Sequence, residues 1–434
     1  MRSNPFTYGN PIKDPRRFVG RAREVDQIFG RLRNEEFESS SLVGDHRIGK
    51  TSLLKYLADP GVREAHGLKP GRFSFVYADL QMVNQATDPD RLWRRLLTLM
   101  ERQCADQRLT ESVSALLEQE QLETFDLDEL FQEVDDRGHH VVFLLDEFER
   151  VTANANFGSD FFYGLRALLI QHGVALVTSS RLELVELCHS DDIKSSPFFN
   201  IFANISLRMF SRAEFELMLE RALAGTAVAF PESELECVVG LAGLHPYFLQ
   251  AACHMLYEAH ELGLGDLERQ AFLAEGFRAD AVPHIIDYWD NSGEYEKIVL
   301  TAAALLERAQ TADGFSLGDL QRVFYRGEPW VERLAKRGLL MSTGGRYRLF
   351  SSIFGPWILS QLTAELGEEQ SYHEWLTQHQ TAVERVTGKQ GSPLREVLPK
   401  IGARYRELII TWASDPQSVA AMANLLKSVL SLVS

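Results

Sequence analysis

Eight residues of this chain have the types and spacing to hold a phosphate: Gly44-Asp45-His46-Arg47-Ile48-Gly49-Lys50-Thr51. They match the pattern G-x-x-x-x-G-K-[ST], with a short apolar strand before and an apolar helix after. Gly44 and Gly49 let the backbone fold tightly, so that its N–H groups surround an anion. The N-terminus of the following helix, with Ser52 in its first turn, adds free N–H groups and a partial positive charge. Lys50 would reach the β- and γ-phosphates, and the Thr51 hydroxyl would sit on Mg2+. A second chemical stretch is Val141-Val-Phe-Leu-Leu-Asp146-Glu147. Two carboxylates that end a buried strand are costly unless paired or used. Here Asp146 would hold the Mg2+ shell, and Glu147 would orient and deprotonate an attacking water. A third strand, Val174-Ala-Leu-Val-Thr178-Ser179-Ser180-Arg181, ends in hydroxyls and a cation. Ligands sit at the carboxyl ends of strands in open parallel sheets. Ser180 and Arg181 are therefore placed to face the γ-phosphate, Arg181 through charge-assisted hydrogen bonds. Arg166, on an apolar helix, reads as a rim salt bridge.

The elements that position these residues follow the alternation of apolar strands and helices. Ser40–Val43, Arg72–Asp79, Val141–Asp146 and Val174–Arg181 read as strands of an α/β core. Continuous apolar runs suit parallel strands covered on both faces. A Pro- and Gly-rich lead-in ends in Phe18-Val19-Gly20-Arg21, ahead of Val25, Ile28, Phe29 and Leu32 at helical spacing. Trp93 lies at core spacing on the helix that Asp88-Pro89 opens. Beyond 205 the chain becomes helical, with a capping box at Ser211–Glu214. A Gly243-Leu-His245-Pro246 joint follows, and His245 has no second ligand near it in sequence. Residues 294–350 read helix, short helix, helix, hairpin, the order of a winged helix-turn-helix. Residues 294–360 carry nine Lys/Arg against seven Asp/Glu, a net of +2. This is a weak DNA signal, resting on Arg333, Lys336 and Arg337. A last helix, capped by Asp415-Pro416, aligns Val419, Met422, Leu426, Val429 and Val433 on one face. That stripe packs on the protein's own core or on a partner.

Composition narrows the classes. The chain has 434 residues, 45% hydrophobic and 24% charged, with a net charge of −16. It is long enough for several domains and too acidic for a general polyanion binder. Cys104, Cys188, Cys237 and Cys253 are scattered and read as free thiols in a reducing compartment. No stretch is long and apolar enough to span a membrane, and the first residues lack the apolar core of a signal peptide. The expected setting is the cytoplasm, without membrane attachment.

The combination of phosphate loop, Leu-Leu-Asp-Glu strand, Thr-Ser-Ser-Arg strand end, Gly-Leu-His-Pro joint and helix–hairpin segment resembles the signal-transduction ATPases with numerous domains (STAND). These are a branch of the AAA+-related P-loop ATPases, and the likeness is to their prokaryotic, archaeal-ATPase-like members. The resemblance covers roughly residues 5–355. It implies a P-loop ASCE/AAA+-like parallel-sheet core at 1–205 and a helical lid at 206–290. A winged helix at 291–362 and a helical C-terminal module at 363–434 would follow. It also implies that Phe18, Val19, Gly20 and Arg21 line the adenine side, that Arg181 senses the γ-phosphate, and that Pro246 packs near adenine. ATP/ADP and Mg2+ are the implied cofactors. Such proteins act as switches that exchange ADP for ATP and oligomerise, often in bacterial signalling or defence. No repeat array or effector domain is recognisable. The expected partners are therefore further copies of the chain and a protein effector engaged through the C-terminal helices. The alternative is a DNA-acting ATPase.

Overall fold

The computed structural model describes residues 4–104, 106–195, 197–309, 314–363, 369–388 and 392–433. It divides into two compact units. One holds residues 9–224; the other holds the described residues from 225 onward together with those up to Tyr8. The four-part division expected from sequence is finer, and its first boundary falls ahead of the helix Arg212–Leu223, which belongs to the first unit.

The first unit is a five-stranded parallel sheet in the order β2-β3-β4-β1-β5. The strands are β1 (Ser40–Val43), β2 (Phe73–Asp79), β3 (His140–Asp146), β4 (Val174–Ser180) and β5 (Ala203–Ser206). Alternate residues of a strand face opposite sides of a sheet, and β3 shows what this does. Val141, Phe143 and Leu145 join one hydrophobic core with Trp93, Leu97, Phe131 and Phe162. Val142 and Leu144 join another, with Leu42, Leu53, Leu54 and Leu57. Both faces are covered by helices, so the whole apolar run is buried. The Asp59 N–H donates to Tyr56 O at the end of the loop helix (Lys50–Ala58), and its side chain caps the next helix, Pro60–Ala65, by accepting from the Val62 N–H. Two helices between β2 and β3 that no sequence signal had marked, Gln107–Leu117 and Thr124–Asp136, complete one layer.

In the second unit, Pro246–Glu261 packs along Asp266–Asp290. The extended N-terminal residues are fixed here: Asn4 donates to His254 O at 2.9 Å, and Tyr8 donates to Asp280. Then come helix Glu294–Ala309, strand β6 (Phe315–Ser316), helices Leu317–Val323 and Glu328–Arg337, and the hairpin of β7 (Leu340–Thr343) and β8 (Arg346–Leu349). Gly344 and Gly345 turn the hairpin at positive φ, as a two-residue connection requires. Among the described residues no helix is long and apolar enough to cross a membrane.

Candidate functional site: a phosphate loop at the carboxyl edge of the sheet

The loop leaves β1 beside the end of β4: Gly44 N–H donates to Ser180 O at 3.1 Å. A Cβ on Gly44 would lie 2.9 Å from Ile48 Cγ2 and 3.3 Å from Leu207 O, so only glycine fits. Gly49 has φ +105° and starts the helix that carries Lys50, Thr51 and Ser52. Arg47 is also left-handed, at φ +63°. Asp45 is buried and His46 half-buried in the intervening turn, while Ile48 seals the loop against the core. Lys50 is 5% exposed, and its ammonium donates to Gly44 O at 2.7 Å and Asp45 O at 3.2 Å. The loop's own carbonyls thus hold a buried cation, the donor an anionic phosphate would attract more strongly. Donors and cradle fit a nucleotide's phosphates. Thr51 is half-buried on the same helix turn.

Asp146 is buried at the tip of β3, and both its oxygens are held. Ser179 Oγ, from β4, donates to Oδ1; Tyr77 OH, from β2, donates to Oδ2 at 3.2 Å. Burial, then the Asp146 charge, pushes the Tyr77 hydroxyl far above its ordinary pKa, so it stays a donor. Glu147 follows at φ +59°, strained for a non-glycine residue, with its N–H on Ser179 Oγ at 3.2 Å. A third acid is Glu149. Its Oε1 accepts the Arg181 N–H at 3.1 Å, and its Oε2 is buried without a hydrogen-bond partner. Burial and then Glu147 push this carboxyl above its usual range, with Lys50 and the Arg181 N–H pulling the other way.

Arg181 therefore begins where β4 ends, one residue past Ser180, whose register partner Val43 immediately precedes the loop. The structure brings Lys50, Thr51, Asp146, Glu147 and the Arg181 backbone to one edge of the sheet. Ser180 departs from expectation: its hydroxyl donates to Leu182 O at 2.7 Å, and the hydroxyl on the acids comes from Ser179. The pleat decides this, since neighbours on a strand face opposite ways. Sequence reasoning missed Tyr77, Ser179 and Glu149 as site residues. Only Glu149 left a trace, as a further acid in the Asp-Glu-Phe-Glu run.

The N-terminal arm runs beside the loop. Ile12 N–H donates to Ser52 Oγ at 3.1 Å, and Arg47 donates to Gly9 O at 3.3 Å. Phe18 stacks on Tyr56 of the loop helix with ring centroids 4.3 Å apart, and its carbonyl accepts from Arg221 at 2.7 Å. Val19 is buried, and Gly20 turns the chain at φ +73°. Arg21, expected beside adenine, points inward instead: its guanidinium donates to Ile48 O at 3.0 Å and is buried. Arg166 is half-buried on Ser159–Gln171. Pro246 opens a helix of the second unit.

In that unit two of the cations considered for DNA are engaged internally. Arg337 is buried and donates to Glu296 Oε2 at 2.9 Å and Ser292 Oγ at 3.1 Å; Arg333 lies 3.3 Å from Glu296 Oε1. The last helix runs Val419–Val433, and the Asp415 carboxylate, expected as its cap, accepts from Tyr325 N–H and Ser418. Met422 and Leu426 are fully buried and Val429 nearly so. The apolar stripe is covered by the unit's own helices, chiefly Glu294–Ala309 and Pro393–Val397. Of the two readings of the stripe, own core or partner, the packing of Met422, Leu426 and Val429 fits the first.

The family Novel STAND NTPase 2 matches residues 33–299. Among solved structures, the ORC2 protein of Aeropyrum pernix, in its ADPNP–ADP complexes, is similar over 82% of this chain and 96% of its own, with a TM-score of 0.54 at 14% identity. A Walker-type ATPase of Pyrococcus abyssi is similar over 81% of this chain and 98% of its own, with a TM-score of 0.50 at 16% identity. At such identities the likeness establishes a shared AAA+-like P-loop fold. None of the curated proteins matches the sequence.

Proposed function

The chain belongs to the family Novel STAND NTPase 2, and from that premise we propose that it is an ATP-dependent switch that hydrolyses slowly. The observation that supports this reading is the single sheet edge carrying Lys50 with its loop, the Asp146–Glu147 pair and the start of Arg181. The loop and Lys50 bind the β- and γ-phosphates. Thr51 and Asp146 are the oxygen donors that would hold Mg2+, a hard cation suited to such ligands. When bound, Mg2+ neutralises charge that develops on the phosphates. Glu147, its backbone fixed through Ser179, orients the attacking water and takes its proton. Arg181 distinguishes ATP from ADP at the γ-position. Phe18 and Val19 form the arm side of the purine pocket. The segment Glu294–Leu349 serves as a winged-helix module of the switch, and exchange of ADP for ATP changes the chain's association with itself.

The test is Glu147→Gln, which keeps the side chain's shape and removes the base. With ATP and Mg2+, the variant retains ATP after gel filtration and elutes at a higher mass than the parent with ADP. Turnover equal to the parent's, with no retained ATP, overturns the assignment of Glu147 and the switch built on it.

A further inference from the structure

We infer that Arg21 is a positioning residue for the phosphate loop rather than a reader of the purine. The inference rests on the nucleotide reading above and deepens it. The Arg21 side chain is committed in every direction: Nη2 donates to Ile48 O at 3.0 Å, Nη1 lies 4.0 Å from Glu24 Oε1, and the guanidinium stands 5.1 Å over the Phe210 ring. Its own N–H donates to Glu214 Oε1 at 3.0 Å, and the residue is 4% exposed.

The bond to Ile48 O falls on the peptide that leads into Gly49. In a trans peptide the C=O and N–H point opposite ways. Holding the Ile48 carbonyl toward Arg21 therefore fixes the Gly49 N–H in the other direction. That peptide is the loop's weak point. Gly49 accepts either sign of φ, so nothing in its own backbone prevents a flip. Arg47, left-handed on the other side of Ile48, adds strain. The Arg21 guanidinium selects one of the two orientations. It also joins the loop to the helix Arg212–Leu223, since Glu214 and Phe210 hold Arg21 in place.

The two roles separate by ligand. Tripolyphosphate carries the phosphates without a base; ADP carries both. Calorimetric titration of parent, Arg21→Met and Arg21→Lys with each ligand gives the comparison, with thermal melting as a control for folding. Arg21→Met weakens both ligands by a similar factor, about tenfold or more, the scale of a hydrogen bond to a charged group. Arg21→Lys recovers part of the loss for both, because its ammonium still reaches one carbonyl. Loss confined to ADP, or no loss for either ligand, overturns the inference. So does a parent that binds ADP but not tripolyphosphate. If Arg21→Met does not fold, Arg21→Lys decides by the same criterion. A parent that binds neither ligand removes the nucleotide reading itself, an outcome distinct from a parent that binds while its Arg21 variants are unaffected.

Discussion

Ser179 donates its hydroxyl to Asp146 across neighbouring strands, and the same oxygen accepts the Glu147 N–H. One side chain on β4 thus fixes both acids at the tip of β3. Removing it leaves a buried carboxylate oxygen without that donor and a backbone N–H without that acceptor. Ser179→Ala should destabilise the protein by about 1–3 kcal/mol, the cost of an unsatisfied buried group. Tyr77→Phe should cost less, because it removes only the longer bond to Asp146 Oδ2. Chemical denaturation of both variants checks the order. Equal stability of parent and Ser179→Ala would show that the bridge contributes nothing.

A second prediction concerns pH. His172 is buried at the start of β4, with Nδ1 2.8 Å from Asp135 and Nε2 2.9 Å from Asp128, both on Thr124–Asp136. Burial opposes its charge, but hydrogen bonds to Asp128 and Asp135 prevail and raise its pKa above the ordinary histidine value. A raised folded-state pKa contributes stability that is fully present below the unfolded value and lost as pH rises through the folded one. His140 is displaced downward, first by burial and then by Arg72, although Asp135 attracts its charge. Its contribution has the opposite sign. The difference in melting temperature between parent and His172→Gln isolates the first group. That difference should be largest in mild acid and shrink as pH rises through and above neutrality. A difference that grows toward alkaline pH contradicts the ion-pair account.

The third prediction concerns Glu296, which neutralises Arg337 in a buried pair. Glu296→Ala leaves a buried guanidinium without that carboxylate and should cost about 3–5 kcal/mol. The same pairing bears on DNA. Arg333 and Arg337 already share Glu296, so replacing them should lower stability without reducing any salt-dependent duplex affinity. Duplex binding that is lost on replacing them, with stability intact, would restore the DNA reading.

The parts of the site that share one stretch of chain were legible in the sequence. The loop announces itself by the spacing of two glycines and a lysine, and β3 by five apolar residues before Asp146. The partners of those acids were not legible, because they arrive through the sheet: Ser179 and Tyr77 lie on the flanking strands, far away in sequence. Ser179 and Ser180 could not be told apart, since the choice depends on which face of β4 meets β3. Strand β5 escaped because it is a short edge strand with only Ile205 buried. The helices 107–117 and 124–136 lay in a stretch with no motif to anchor them. The last helix showed its apolar face correctly, but the sequence left open whether this chain or a partner covers it.

The account stands or falls on Lys50. Its ammonium, now on Gly44 O and Asp45 O, must turn to a nucleotide's phosphates. Calorimetric titration of ADP and ATP into the parent and Lys50→Ala measures this directly. The account predicts binding by the parent and none detectable by the variant, with both equally folded by circular dichroism. Equal affinity of parent and variant for both nucleotides would contradict it.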